Sequence, residues 1–430
     1  MGRTETVISG LRRIVPGALL GIVLTGSSTT LSGQDWEVFD MSNSPLPSTT
    51  VYALAEDPPG GVWIGTDWGL CHFDGGTGWD VYQVVTTGIP SNDIRALARN
   101  AQGHLWVGTL SDGLALWDGT NWTTYNTGNS PLPENGIRDL FVDHRDWVWI
   151  TTSGGLACFT GSEWRIYDAS EQSYGGLVLN TGNTRSVAVR QDGTVCLGTF
   201  NGGLHFLTET SVSFLTTFND GFFDNTATDV LFDPVSGDRW VSTPAAGLLR
   251  QQGPTVGGSW YQWNSSVGFP SNGVNCISMD GSGSVWAGTQ FFGLIRVDPD
   301  DSYTSFTTTG SGLPDNEVPS VLASSDGSIW VGTVYGGLAR YRPTIGILES
   351  SLDPVIRVFP NPASEWCVIE IPGASGTWSW EISDAQGRPV CLGFSVGGQK
   401  HIPLRSLASG AYLMTVVCRG DRYRSTLVVK

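Results

Sequence analysis

The chain has 430 residues, including 57 Gly and 18 Trp, and charged residues make up only 15% of it. An apolar share of 40% argues against disorder, and the abundance of Gly and aromatic residues favours many short strands joined by tight turns. The formal net charge of −17 argues against non-specific binding to nucleic acid or to anionic lipid.

The N-terminal segment has the order of regions that is typical of a secretory signal peptide. Arg3, Arg12 and Arg13 precede an apolar run at 14–24, and small polar residues follow that run. The apolar run is too short to cross a bilayer as a helix. We therefore assign residues 1–33 to a signal peptide and expect no membrane span in the mature protein.

A short motif of the form Val-Trp-Ile-Gly-Thr then recurs along the chain, each time followed by a Gly-Leu pair. The seven copies are centred on Trp63, Trp106, Trp149, Cys196, Trp240, Trp286 and Trp330. Apolar runs and turn residues divide each unit into four short predicted strands, which we name a to d. Four strands in a repeat of ~45 residues are typical of a β-propeller blade.

The count of strands predicts how the ring closes. Seven d strands of the Trp-x-x-aromatic type or its degenerate forms occur, and the first of them, at 36–39, precedes the first a strand. No d strand follows the last c strand, which lies near 337–340. The N-terminal d strand is therefore expected to complete the last blade, which hides two open sheet edges. We predict a seven-bladed β-propeller over residues 34–343.

The repeat resembles a known family. The unit at 89–119, which contains "PSNDIRALARNAQGHLWVGTLSDGLALWDG", is similar to the two-component regulator propeller repeat, and related copies contain "LPENGIRDL", "FPSNGVNCI" and "LPDNEVPSV". In that family, such propellers commonly lie on the periplasmic side of hybrid sensor kinases and recognise polysaccharide fragments. The chain shows one ring and neither a kinase domain nor a transmembrane helix, so the resemblance implies the propeller and not kinase activity.

A different pattern follows a linker at 344–356. Residues 357–430 contain a Pro-Asn-Pro opening, an Asp-x-x-Gly-Arg turn at 384–388, a Gly-x-Tyr step at 410–412 and a final strand ending at Lys430. Their alternation of apolar and polar residues predicts a small antiparallel β-sandwich. The combination resembles the type A sorting domain of the type IX secretion system. That resemblance implies recognition by the secretion machinery, passage across the outer membrane, and a location at the cell surface or outside the cell.

The topology of a propeller predicts which residues converge on its axis, because the a strands line it and the d-to-a and b-to-c loops open on one face. In each unit, one residue of the predicted a strand lies at the same number of residues before the recurring motif. We expect these seven residues at this face: Tyr52, Arg95, Arg138, Arg185, Asp229, Asn275 and Pro319. Three successive blades thus present Arg at one repeat position. This concentration is unusual, because residues 34–343 hold 12 Arg against 32 acidic residues, a net charge of −20.

Aromatic residues of the b-to-c loops, including Trp68, Phe292 and Tyr335, are expected on the same face. Aromatic rings stack on sugars, and Arg binds carboxylate or sulfate through paired hydrogen bonds. We therefore predict a funnel that binds a glycan or another anionic ligand. The alternative is that the Arg residues form structural ion pairs with Asp93, Asp139 or Asp229.

Catalysis has less support in the sequence. The His residues fall at different phases of the repeat, no nucleophile elbow occurs, and no Cys spacing suits zinc. We expect no catalytic residue, metal or cofactor. Two alternatives stay open: a protein-interaction scaffold, and a glycan lyase or hydrolase for which Tyr52, Asp229 and Asp112 are the first candidates. A disulfide among Cys367, Cys391 and Cys418 also stays open.

Overall fold

The computed structural model describes residues 13–14, 36–218, 222–253, 258–342, 357–359, 361–370, 377–384, 388–396, 399–418 and 421–430. The chain divides into two compact units, Met1–Pro343 and Thr344–Lys430. The predicted linker at 344–356 lies outside the described residues, and so does the predicted signal peptide except for one short strand. That strand, Arg13–Ile14, pairs with Trp260 and Tyr261. No helix of the described residues is long and apolar enough to cross a bilayer.

The first unit is a ring of seven antiparallel sheets, each ordered a-b-c-d. The a strands are Val51–Asp57, Ile94–Arg99, Ile137–Val142, Thr184–Val189, Asp229–Phe232, Val274–Met279 and Ser320–Ala323. The b strands are Gly61–Thr66, Leu105–Thr109, Val148–Thr152, Val195–Thr199, Arg239–Ser242, Val285–Thr289 and Ile329–Gly332. The c strands are Gly69–Phe73, Leu114–Trp117, Leu156–Phe159, Leu204–Leu207, Leu248–Gln251, Leu294–Val297 and Leu338–Tyr341. The d strands are Trp79–Tyr82, Trp122–Tyr125, Trp164–Tyr167, Val212–Leu215, Trp260–Trp263, Tyr303–Phe306 and Trp36–Phe39.

The seventh blade confirms the predicted closure. The N-terminal d strand Trp36–Phe39 pairs with the c strand Leu338–Tyr341, so both ends of the ring share one sheet. An ion pair accompanies this closure: the Glu37 carboxylate accepts hydrogen bonds from Nε and Nη2 of Arg340 at 2.9 and 2.5 Å. Only 3% of Arg340 is exposed. The sequence prediction of a seven-bladed propeller is therefore confirmed.

The recurring motif forms the packing between blades. Its Trp residues are buried, and Trp286 contacts both Phe306 of its own blade and Tyr341 of the next at ring-centroid distances of 5.4 and 5.7 Å. The Gly that follows has a positive φ, and in six of the seven blades it lies directly before the first residue of the c strand. At Gly293, where φ is +76°, a Cβ would lie 2.1 Å from the Phe306 carbonyl oxygen. Backbone conformation and lack of space both require glycine there.

The second unit contains two antiparallel sheets. One has the order Arg357–Phe359, Trp366–Glu370, Gln399–Pro403, and the other has the order Pro389–Val396, Thr377–Ser383, Gly410–Cys418, Asp421–Val429. The two sheets enclose a common core that includes Ile369, Ile402, Trp378, Met414 and Leu427, each at most 1% exposed. This arrangement confirms the predicted β-sandwich. Cys367 and Cys391 are both free thiols.

Candidate ligand-binding site

A cavity of about 640 Å³ lies on the axis of the ring, where the beginnings of the a strands meet. Its outer tier consists of one residue from each blade: Tyr52, Arg95, Arg138, Arg185, Thr228, Asn275 and Pro319. The inner tier consists of the next residue along each a strand: Ala53, Ala96, Asp139, Ser186, Asp229, Cys276 and Ser320. Besides Pro319, the structure thus brings together six of the other nine residues that the sequence predicted for this face.

One of the six occupies a different tier from the one that the sequence predicted. Asp229 pairs with Ser242 of its b strand, in the same way that Asp139 of blade 3 pairs with Thr151. Asp229 is therefore the equivalent of Asp139, and Thr228 takes the outer position. The a-to-b turn of blade 5 is one residue longer than that of blade 3. Counting the same number of residues back from the motif therefore gives Asp229 in blade 5, although Thr228 holds the outer position.

Arg95 of the outer tier forms an ion pair and also contacts an aromatic ring. Its Nε and Nη2 donate to the two carboxylate oxygens of Asp93 at 2.5 and 3.0 Å. The guanidinium also lies 3.8 Å from the centroid of the Tyr52 ring. Because Arg95 is occupied by one carboxylate and one aromatic face, it serves to hold Tyr52 at the rim of the cavity.

The other two Arg residues of the outer tier have no carboxylate partner in the described part of the chain. Nη1 of Arg138 donates to Oδ1 of Asn183 across the blade boundary, and a longer bond of 3.4 Å reaches the Thr184 carbonyl oxygen. Arg185 forms no hydrogen bond or ion pair with any described residue. Burial lowers the pKa of Arg185 and the nearby charge of Arg138 lowers it further, whereas the charge of Asp229 raises it. An anion at this place would stabilise both charges.

Two carboxyl groups lie in the inner tier. Oδ2 of Asp139 accepts the Val187 N–H of the next blade at 2.9 Å, and Oδ2 of Asp229 accepts the Ile277 N–H at the same distance. Burial raises the pKa of Asp139 to about 6. Burial also raises the pKa of Asp229, to about 8, and the charge of Asp139 contributes to that shift. The inner tier therefore holds acids that burial disfavours in their charged form.

Ser186 lies between these acids in the order of the blades. It is 1% exposed, and its Oγ has no hydrogen-bond partner among the described residues. Sequence reasoning did not include Ser186 in the site, and it considered Asp139 only as an ion-pair partner for Arg. The signal that could have found both is their position directly after Arg185 and Arg138.

Three predicted site residues do not line the cavity. Trp68, Phe292 and Tyr335 lie on b-to-c loops and are 63%, 49% and 76% exposed. Of the b-to-c loop residues, Leu110 and Phe200 line the cavity instead. Each of them directly follows the last residue of a b strand.

Groups of the kind that acid–base catalysis uses lie at the cavity, because the inner tier holds two carboxyl groups, Asp139 and Asp229. Tyr52 and Asp229 line it, whereas Asp112 is exposed and lies outside it. The described lining contains no His. Within the described ranges, no three His, Cys, Asp or Glu side chains are placed to hold a metal ion together. The cavity lining is polar and includes both positively and negatively charged side chains.

The seven blades and axial cavity define the chain as a β-propeller with a second, sandwich unit. The family model described as two component regulator propeller matches residues 45–68, 88–111, 268–291 and 312–335. The family model described as secretion system C-terminal sorting domain matches residues 357–430. The chain therefore contains two-component regulator propeller repeats and a C-terminal type IX sorting domain. Such a domain directs export across the outer membrane, to the cell surface or the extracellular space.

Solved structures share the fold. The extracellular domain of the hybrid two component system BT3049 from B. thetaiotaomicron is 17% identical, with a TM-score of 0.62 over 93% of this chain and 58% of its own. PorZ, a surface component of the type-IX secretion system of Porphyromonas gingivalis, is 16% identical, with a TM-score of 0.57 over 91% of this chain and 61% of its own. A streptogramin B lyase is 15% identical, with a TM-score of 0.57 over 73% of this chain and 99% of its own.

These similarities are limited to the fold, because the identities are low. The chain spans 58% and 61% of the length of the BT3049 domain and of PorZ. No curated protein sequence matches the chain.

Proposed function

We propose that the propeller is an extracellular binding protein whose axial cavity takes an anionic ligand, such as the acidic sugar of a glycan. The observation that carries this proposal is Arg185, a cavity-lining guanidinium with no partner among the described residues. A half-buried charge that no hydrogen bond or ion pair compensates is costly, and an incoming carboxylate or sulfate offsets that cost through paired hydrogen bonds.

The size and the walls of the cavity suit such a ligand. Small-molecule sites typically have volumes of ~300–1,000 Å³, and this cavity measures about 640 Å³. Tyr52 and Phe200 offer aromatic faces for the apolar side of a sugar ring. Asn275 offers an amide for hydroxyl groups, although its Nδ2 already donates to the Val318 carbonyl oxygen at 3.2 Å.

The location of the protein and its fold relatives agree with this role. The sorting domain directs the propeller to a place where it meets extracellular molecules. One structural neighbour is the extracellular domain of a hybrid two component system. The competing proposal is a scaffold that binds a partner protein over its acidic surface; it predicts that the cavity takes no small ligand.

Calorimetric titration of the full chain with oligogalacturonides, and with neutral galacto-oligosaccharides as a comparison, tests the proposal. We expect the acidic sugars to bind and Arg185→Gln to weaken that binding ~10–100-fold, the scale of a lost hydrogen-bonded charge. Arg185→Lys should restore only part of it, because Lys lacks the planar fork. Arg405→Gln, an equal charge change on an exposed side chain of the sorting domain, is the matched control.

Three results would contradict the proposal. Neutral sugars could bind as well as acidic ones, Arg185→Gln could bind like the wild type, or no sugar could bind. The last result would favour the protein-interaction scaffold.

A further inference from the structure

We infer that the ligand of the axial cavity is zwitterionic, with an amine that docks between Asp139 and Asp229 in addition to the anionic group at Arg185. The anionic half of this inference rests on the proposed function. The cationic half comes from the inner tier, which the proposed function does not use.

The charges of the cavity are arranged in two layers over three neighbouring blades. Blades 3 and 4 contribute Arg138 and Arg185 to the outer tier, and blades 3 and 5 contribute Asp139 and Asp229 to the inner tier. Ser186 lies between the two acids and directly after Arg185. A ligand that carries an anionic and a cationic group one short bridge apart would therefore meet a complementary charge at each end.

The inner tier has unused hydrogen-bonding capacity. Each Asp carboxyl accepts two backbone N–H bonds: Asp139 from Leu140 and Val187, and Asp229 from Val230 and Ile277. An ionised carboxylate offers about four acceptor positions, so each acid can accept further donors.

The unpartnered Oγ of Ser186 adds a third acceptor, and it belongs to a side chain that is 1% exposed. An ammonium group has three donors. Two carboxylates and one hydroxyl on neighbouring blades match that number.

Electrostatics favour a cation at this place. No Arg or Lys of the described residues forms a hydrogen bond or ion pair with either acid, although the charge of Arg185 acts on Asp229 and lowers its pKa. Burial raises the pKa of Asp139 and of Asp229, and the two charges are close enough for Asp139 to raise the pKa of Asp229. A bound ammonium stabilises the ionised form of both carboxyls. Binding of the amine at neutral pH should therefore release protons from the protein.

Calorimetric titration of the full chain with matched ligand pairs tests the inference. The probes are muramic acid, galactosaminuronic acid and the dipeptide Ala-Glu, each compared with its N-acetylated form, which keeps the carboxylate and loses the charged amine. We expect at least one free amine to bind at least tenfold more tightly than its N-acetylated form. Titrations in buffers of different ionisation enthalpy should show protons released from the protein by the amine alone.

Variants assign the effect to the inner tier. Asp229→Asn should reduce the preference for the free amine, and Ser186→Ala provides a second variant that changes no charge. Asp80→Asn, at a d-strand side chain that is 70% exposed, is the control and should keep the preference.

The outcomes separate this inference from the proposed function. If acidic oligosaccharides or N-acetylated probes bind as tightly as every free amine, the zwitterion inference fails and the anionic site stands. If a free amine binds but Arg185→Gln has no effect, the anionic site fails. If no probe of either kind binds, both fail.

Discussion

His205 provides a direct test of how the core of the ring responds to acid. Its side chain is fully buried in the c strand of blade 4. Nε2 accepts a long hydrogen bond of 3.4 Å from the Asn180 N–H, which leaves Nδ1 to carry the proton in the neutral ring. Nδ1 has no hydrogen-bond partner in the described part of the chain. Burial lowers the pKa of His205 from 6.5 to about 4.

The sign of the pH dependence follows from this lowered pKa. Between the two values, the unfolded chain binds a proton at His205 and the folded chain does not, so stability falls as pH falls. A pKa of 6.5 unfolded and about 4 folded gives a loss of about 2 kcal/mol between pH 7.5 and pH 5. Asp139 and Asp229 act in the opposite direction, because their raised pKa values make the folded chain bind protons more readily.

A comparison with His205→Leu isolates the histidine, because the wild type and the variant share both acids. We expect urea denaturation, followed by far-ultraviolet circular dichroism, to show the wild type losing about 2 kcal/mol relative to the variant from pH 7.5 to pH 5. His144→Gln changes an exposed histidine and should give a curve parallel to that of the wild type. A constant difference between the wild type and His205→Leu over this range would refute the reasoning.

Three further predictions concern the closure, the repeat glycines and export. Glu37→Gln leaves the buried Arg340 without its carboxylate and should lower the unfolding free energy in urea by ~1–3 kcal/mol; an unchanged midpoint would contradict this. Gly293→Ala should destabilise the ring by several kcal/mol more than Gly119→Ala in the same denaturation assay, since both have positive φ but only Gly293 lacks space for a Cβ. Equal losses would contradict that account. Deletion of 357–430 should leave the propeller inside the outer membrane on cell fractionation, whereas release of the truncated protein would contradict the role of the sorting domain.

The fold could be predicted from the sequence because its determinants repeat. Seven motifs at nearly equal spacing, each followed by Gly-Leu, correspond to seven b strands and the starts of seven c strands. The closure could be predicted from a count: the d strand at Trp36–Phe39 precedes the first a strand, and the sequence has no further d-strand motif directly after the last c strand. The residue pattern of one repeat alone does not predict the closure of the ring. A single blade cannot bury both of its faces, so the fold depends on all the blades together.

The site was less predictable than the fold because it depends on register within each blade. A fixed offset found the outer tier in six blades and failed in blade 5, where a longer turn moves Asp229 one place inward. Periodicity also does not predict which side chains pair. It placed Arg95 and Arg185 at equivalent positions, but Arg95 is bound to Asp93 and Arg185 has no described partner.

The b strands show how two blades depart from the repeat to build the inner tier. Where blade 4 has Gly198, a Cβ would lie 2.3 Å from the Ser186 Oγ, so a small a-strand residue packs over glycine. Blade 3 instead combines Asp139 with Thr151. The Asp139 carboxylate accepts an N–H of the next a strand, and the Thr151 hydroxyl donates to the Arg185 carbonyl oxygen at 3.2 Å.

These two bonds hold the next a strand on both sides of Ser186. The acids of the inner tier therefore accompany a local change in packing that also positions Arg185. Blade 5 repeats the combination with Asp229 and Ser242, and Asp229 likewise accepts an N–H from the a strand of blade 6. Blades 3 and 5, which share this combination, lie on either side of the blade that carries Ser186. Both acids therefore lie in one part of the ring. The asymmetry of the cavity thus arises from substitutions within a symmetric scaffold.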